Sequence, residues 1–114
     1  MLLRYVNQAF HSPKLLVESI LNDLLDVKEL VLATETLGLI DDLQLSLPII
    51  EGQLQHVDFL VVDAAINALR IISLRNEVIF TRGIRQKLIL LATTSDLLST
   101  RICAADALAD FQFA

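Results

Sequence analysis

One pattern recurs three times along this chain and limits what the chain can fold into. Segments 28–37, 60–69 and 99–108 read KELVLATETL, LVVDAAINAL and STRICAADAL, each with apolar residues around an alanine and a leucine four positions later. Aligned on Ala33, Ala65 and Ala104, the copies lie 32 and 39 residues apart. Periods of this length are typical of stacked helical hairpins, because one hairpin cannot bury its own apolar face. The chain is therefore predicted to be a row of similar units.

The middle copy has the periodicity of an α-helix. Its apolar residues recur at intervals of three and four, which places them on one broad helix face, whereas a strand would alternate every second residue. They are Leu60, Val61, Ala64, Ala65, Ala68, Leu69 and Ile72. An aspartate stands near the start of each copy. Asp26, Asp58 and Asp96 are therefore predicted to cap the three helices at their N-termini.

Partner helices are expected between the copies, at about 13–25, 47–56 and 77–93. The first two begin beside Ser12-Pro13 and around Ser46 and Pro48, since proline is well tolerated at the first helical position. The third contains Gly83, whose cost inside a helix indicates a kink. The run 43–47 alternates like a strand but is short, and it is predicted to be loop or helix start.

These elements predict a single all-α domain over residues 1–114. Its hairpins are expected at about 12–40, 44–74 and 76–113, and residues 2–10 are expected to form an N-terminal helix. The predicted fold class is an α-solenoid of about three helical hairpins.

Composition excludes several classes of protein. Hydrophobic residues make up 54% of the chain and the mean hydropathy is +0.60, but charged residues interrupt the apolar runs. The most apolar stretch, 59–72, still contains Asp63, Asn67 and Arg70, so no membrane span is expected. The start of the chain does not read as a secretory leader, which favours a cytoplasmic location. The single cysteine, Cys103, is expected to be a small buried residue without a disulfide.

The charge argues against binding to nucleic acid. The formal net charge is −5, and general affinity for phosphate backbones needs many lysines and arginines. Residues 1–63 hold three basic and ten acidic side chains, whereas residues 64–114 hold six basic and four acidic ones. The basic side chains concentrate locally and either engage an acidic protein or form a solvated surface. They are Arg70, Arg75, Arg82, Arg85 and Lys87.

Paired helices with an aspartate at the turn and Ala-x-x-x-Leu in the second helix resemble HEAT repeats, including the short HEAT-like type found in phycobilisome lyases. The resemblance covers about 26–40, 58–72 and 96–111. The third copy fits best, since its TRICAA differs from the family's Val-Arg-x-x-Ala-Ala pattern only by threonine in place of valine. Leu30 and Val62 occupy the arginine position in the other copies, which leaves armadillo-like and other helical-hairpin stacks open.

The resemblance implies that the second helices line a concave surface that holds partners. The polar residues predicted to lie off the core on these helices are the candidate partner-binding residues, and we call them the polar ridge. They are Glu35, Asp63, Asn67, Arg70, Asp106 and Asp110. The alternative for any one of them is an ordinary solvated helix face. The predicted function is a non-catalytic interaction module or adaptor for another protein, with no cofactor.

Residues suited to catalysis are sparse. His11 and His56 both stand near predicted helix ends, where histidine commonly contacts the last carbonyls. Asp41-Asp42 is read as a helix cap rather than a cation site. The resemblance implies one enzymatic alternative, a bilin lyase or chromophore-handling protein, although the chain has few aromatic residues. A DNA-base excision enzyme is disfavoured because the chain has no tryptophan and one tyrosine, and the polar ridge is mostly acidic.

Both ends of the predicted stack carry apolar residues. Leu2, Leu3 and Val6 mark the first helix, and Phe111 and Phe113 stand near the C-terminus. Solenoids need polar end caps, and large exposed apolar patches usually mark interfaces. The chain is therefore expected to form a homo-oligomer or to belong to a longer repeat array, with Phe111 and Phe113 as the self-association residues. The alternative is that these rings fold back into the last unit.

Overall fold

A computed structural model describes residues 12–114, and the predicted helix at 2–10 lies outside this range. Within it, the protein is all-helical apart from two strands of two residues each. The elements are α1 Pro13–Leu21, α2 Val27–Leu37, α3 Leu43–Gln53, α4 Phe59–Arg75, β1 Ile79–Phe80, α5 Arg82–Thr94, α6 Leu98–Asp110 and β2 Gln112–Phe113. The all-α prediction is confirmed.

Side-chain caps explain where most of the helices begin. Asp26 accepts a hydrogen bond from the Glu29 backbone N–H, and the Glu29 carboxylate accepts one from the Asp26 N–H, which makes a capping box. Asp58 accepts from the Leu60 N–H at the start of α4. The cap predicted at Asp96 is wrong. The N-cap residue of α6 is Leu97, whose side chain makes no capping hydrogen bond, and the helix begins at Leu98.

Two helix starts differ from the prediction. Helix α3 begins at Leu43, four residues before the predicted start, because Asp42 accepts a hydrogen bond from the Leu45 N–H. Pro48 therefore lies inside α3 rather than at its first turn. Helix α5 begins at Arg82 after a Thr81 cap, which places Gly83 in the first turn and not at an interior kink.

Gly83 has a packing role at the start of α5. A Cβ there would lie 2.9 Å from Glu51 Oε2 of α3. The same carboxylate accepts a hydrogen bond from Thr81 Oγ1 at 3.3 Å and pairs with Lys87 Nζ at 2.7 Å. Glu51 therefore joins α3 to the first two turns of α5.

The helices contact one another in two successions. Helices α1, α3 and α5 contact in that order, and so do α2, α4 and α6. Each helix also contacts its sequence partner in the pairs α1–α2, α3–α4 and α5–α6. Ala33, Ala65 and Ala104, on which the three copies were aligned, all lie in one hydrophobic core. Helix α4 is the most enclosed element, because it lies between α2 and α6.

Gly38, the C-cap residue of α2, lies close against the backbone of α4. A Cβ on Gly38 would lie 2.9 Å from the Ala68 carbonyl oxygen and 3.0 Å from Ala68 Cα. Arg75 of α4 adds polar contacts to the same region. Its guanidinium donates a hydrogen bond to the Gly38 carbonyl oxygen at 3.3 Å and pairs with the Asp41 carboxylate at 3.0 Å. Only glycine leaves space for the two backbones here.

Candidate functional site

The polar ridge is partly assembled by contacts between α4 and α6. Thr100 Oγ1 donates a hydrogen bond to Asp63 Oδ1 at 3.0 Å, and Arg70 pairs with Asp110 at 3.4 Å. Asp63 and Thr100 lie in the N-terminal halves of α4 and α6, and Arg70 and Asp110 lie in the C-terminal halves. The two helices are therefore parallel. Three of the six predicted ridge residues are therefore held by contacts within the chain.

The other ridge residues differ in their exposure. Asn67 and Asp106 are exposed, and Asn67 lies on the same face of α4 as Asp63 and Arg70 by helical spacing. Glu35 is half-buried on α2, beyond the α4–α6 pair. Asn67 and Asp106 are accordingly the ridge positions at which a partner's side chain meets the least competition from internal contacts.

A groove between two hairpin turns is a second candidate site, which the sequence did not predict. It lies where the α3–α4 turn meets the α5–α6 turn and has a volume of about 360 Å³. Its apolar lining is Val57, Phe59, Val62, Leu91 and Leu97, and its polar lining is His56, Ser95, Asp96 and Thr100. We call it the turn groove. Thr100 also bonds to Asp63, so the turn groove adjoins the polar ridge.

Three of the five apolar side chains that line the turn groove are exposed, whereas Val62 is buried and Leu91 is half-buried. Val57 is 100% exposed and Phe59 is 47% exposed. Leu60, near the start of α4, and Leu97, in the α5–α6 turn, are also exposed. The periodicity of the middle copy assigned Leu60 to the buried face, and that assignment is wrong because Leu60 is the second residue of α4, before the helix enters the core. Contiguous exposed apolar side chains are a feature of protein-binding surfaces.

His56 has a structural role at the rim of this groove. Its Nδ1 accepts a hydrogen bond from the Asp58 backbone N–H at 3.0 Å. The prediction that His56 contacts the last carbonyls of a helix is therefore wrong. Its ring instead stabilises the turn before α4, because it binds the backbone of Asp58, the N-cap residue of that helix. His11 lies outside the described residues.

The turn groove is suited to an apolar guest rather than to an anionic one. Neither arginine nor lysine lines it, and Asp96 contributes a negative charge. A bilin would place two propionates without a counter-charge there. Arg82 and Arg85 line a different recess, together with Gln86 and Ala114. The chromophore-handling alternative thus finds no combined apolar and cationic lining in this groove.

The C-terminal phenylalanines turn inward. Phe111 is 7% exposed, and its ring centroid lies 4.9 Å from that of Phe80 and 6.2 Å from that of Phe113. Strand β2 pairs in parallel with β1, and the Ala114 N–H donates to the Phe80 carbonyl oxygen. Phe111 is therefore buried and not part of an exposed apolar edge, because this pairing folds the C-terminus onto the last hairpin, and Phe113 is half-buried. That the two rings mediate self-association stays a prediction.

Three of the five residues in the basic concentration form ion pairs within the chain. Arg70, Arg75 and Lys87 pair with Asp110, Asp41 and Glu51. Cys103 is only half-buried, which differs from its expected burial. Between residues 12 and 114, no three histidine, cysteine, aspartate or glutamate side chains cluster closely enough to hold a metal ion. Over the same residues, no helix has the length and apolar character needed to cross a membrane.

No family model matches this chain, and the comparisons with curated proteins and with solved structures give no match either. The HEAT-like resemblance therefore rests on the sequence pattern alone.

Proposed function

We propose that this protein is a non-catalytic interaction module, a solenoid of HEAT-like hairpins that binds a segment of another protein. The segment would place an apolar side chain in the turn groove and extend along the polar ridge. The proposal makes the two surfaces parts of one binding site, because Thr100 belongs to the groove and bonds to a ridge residue.

The exposure of Val57 and Phe59 carries this proposal. A fully exposed valine and a half-exposed phenylalanine line the same groove and leave apolar surface in water there. Burial of such surface yields roughly 25 cal/mol per Å². Aromatic side chains at the centre of an interface commonly dominate its binding energy. Phe59 is the best-placed residue for that role.

The succession of helix contacts supports the solenoid part of the proposal. Stacked hairpins contact first helix to first helix and second helix to second helix, and both successions are present between α1 and α6. In such a stack, side chains off the core vary without disturbing packing, which suits a surface that recognises a partner.

The charge of the ridge indicates the chemistry of the partner. Among the ridge residues on α4 and α6, Asp63, Asp106 and Asp110 outnumber Arg70, and Asp96 adds a further negative charge at the groove. We expect the bound segment to combine one large apolar residue with lysine or arginine a few positions away. The basic residues would set orientation and association rate more than affinity.

The first test uses peptide selection against the protein and two single-site variants. Val57→Asp removes the most exposed groove side chain without altering the core, and Leu74→Asp makes the same kind of change at the other end of α4, where Leu74 is 81% exposed. From a displayed library of random peptides, we expect the wild type and Leu74→Asp to enrich the same apolar and basic peptides. We expect Val57→Asp to lose at least about tenfold in affinity for them, the effect of 1.4 kcal/mol. Equal binding by all three proteins would overturn the groove assignment.

The second test addresses the ridge with exposed residues only. Asn67→Arg combined with Asp106→Arg reverses the local charge, and Glu18→Arg on α1 is a control that places arginine on the other succession of helices. Peptides selected by the wild type are expected to bind the double variant several-fold more weakly and to bind Glu18→Arg normally. If the double variant binds as well as the wild type, the ridge is an ordinary solvated surface.

A further inference from the structure

Helix α6 carries an apolar stripe that faces solvent. Leu98 and Ile102 are 62% and 51% exposed, and Ala105 and Ala109 are also exposed. Their spacing of four, three and four residues places all four side chains on one face of the helix. We call these four residues the α6 stripe. It lies on the opposite side of α6 from Thr100 and Ala107, which are buried.

The repeat identifies this face as the one that receives a neighbouring helix. On α4, Asp63 and Arg70 contact α6, and Ile66 between them is fully buried. The residues 39 positions later are Ile102, Ala105 and Ala109. They occupy the corresponding face of α6, and there they stand in solvent.

The first unit follows the same rule. The residues 32 positions before Ile66 and Arg70 are Thr34 and Gly38. Thr34 is fully buried, and Gly38 approaches Ala68 of α4. At the positions equivalent to Ala105 and Ala109, this face is covered on α2 and α4 and bare on α6, whereas Val27 and Phe59, the positions equivalent to Leu98, are exposed as Leu98 is.

We propose that a second copy of this chain covers the α6 stripe, with the two α6 helices antiparallel about a two-fold axis. In the antiparallel register that centres the stripe, Leu98 of each copy lies opposite Ala109 of the other, and Ile102 lies opposite Ala105. Each large side chain thus meets a small one, which is the arrangement that fills space between helices. Parallel pairing would set large against large and small against small.

The size of the stripe sets the strength of the dimer. Helix α6 has 13 residues and is about 20 Å long at 1.5 Å per residue. One helix face of that length is smaller than the roughly 800 Å² per partner of a standard interface. We therefore expect a weak dimer that dissociates in the micromolar range. The two proposed sites are neighbours, because Leu97 of the turn groove adjoins Leu98 and Asp106 of the polar ridge lies on α6 itself. Val57 lies outside the helix pair, so Val57→Asp and Ile102→Asp test peptide binding and dimerisation separately.

Analytical ultracentrifugation of the wild type and two variants tests whether the protein forms this dimer. We expect the wild type to shift from monomer to dimer between low and high micromolar concentrations. Ile102→Asp is expected to stay monomeric throughout, and Ile79→Asp, which changes an isoleucine that is also exposed but lies on β1, is expected to dimerise like the wild type. Circular dichroism verifies that the variants keep their helix content. A wild type that remains monomeric at high micromolar concentration overturns the proposal and leaves the stripe to another protein or to a continuing array.

Disulfide trapping tests the orientation, and it does so even if Ile102→Asp fails to fold. In a Cys103→Ser background, a Leu98→Cys protein mixed with an Ala109→Cys protein should cross-link between the two variants. Each variant alone should cross-link poorly, because antiparallel pairing holds identical positions at opposite ends of the interface. Preferential Leu98→Cys self-cross-linking would show parallel pairing and contradict the proposed register.

Discussion

Helix α4 packs against α2 on one side and α6 on the other, and the two contacts are built differently. Against α2 the backbones meet directly, with Gly38 next to Ala68. Against α6, polar side chains bridge the helices through Asp63 with Thr100 and Arg70 with Asp110. The contact with α2 is also the more extensive of the two. Copies of one repeat pattern therefore form interfaces of unequal tightness, according to which small residues allow the backbones to approach.

Gly38→Ala should have the largest effect on this comparison. The added Cβ would overlap Ala68 backbone atoms, which cannot move as a flexible side chain does. We expect a loss of about 2 kcal/mol in the free energy of unfolding, the usual cost of overpacking. Urea denaturation followed by circular dichroism measures it.

Gly52→Ala is the matched control for this substitution. A Cβ on Gly52 would meet nothing within 4 Å, and Gly52 lies within α3. This variant should gain up to about 1 kcal/mol from helix propensity. If both variants were stabilised alike, the close approach of α2 to α4 would not be a constraint.

Asp63→Ala should have an intermediate effect. Thr100 is 1% exposed, so its hydroxyl would be left buried without its acceptor. We expect a loss of about 1–2 kcal/mol in the free energy of unfolding. Adding Thr100→Val removes the orphaned donor, so the double variant should be no less stable than Asp63→Ala. Strict additivity of the two single losses in a double-mutant cycle would show that the hydrogen bond does not couple the helices.

Arg70→Ala should have the smallest effect. The Arg70 and Asp110 side chains are 36% and 66% exposed and lie 3.4 Å apart, so water and salt screen the pair. We expect a change of at most about 0.5 kcal/mol. The difference between wild type and variant should shrink further in roughly 1 M salt, where the Debye length is about 3 Å. A loss above 1 kcal/mol that persisted in salt would place Arg70 among the packing residues.

The helices themselves were largely readable from the chain. Apolar periodicity located α2, α4 and α6, and acidic caps located the starts of α2 and α4, because both signals depend only on residues a few positions apart. The predicted starts of α3 and α5 were wrong. For α3, Ser46-Pro48 resembles a helix start as much as the true cap at Asp42 does. Competing local signals of similar strength are separated only by the packing that each start allows.

The candidate sites were predicted less completely. Helical spacing placed Asn67 and Asp106 in solvent, but it gave no sign that Asp63 and Arg70 would bond across to α6. The turn groove could not be predicted from the sequence, because its lining comes from two turns that are distant in the chain. Phe111 was misassigned because its burial depends on pairing with a strand at Ile79–Phe80.

The order of residues in the chain was sufficient to specify helix content and the burial of Ala33, Ala65 and Ala104 in the core, because these follow from spacing within single helices. Which faces meet, which acidic residues are used internally and which apolar residues stay in solvent emerged only when the helices packed. Each of those outcomes depends on distances between segments more than 30 residues apart, such as Asp63 and Thr100, and no local pattern encodes such distances.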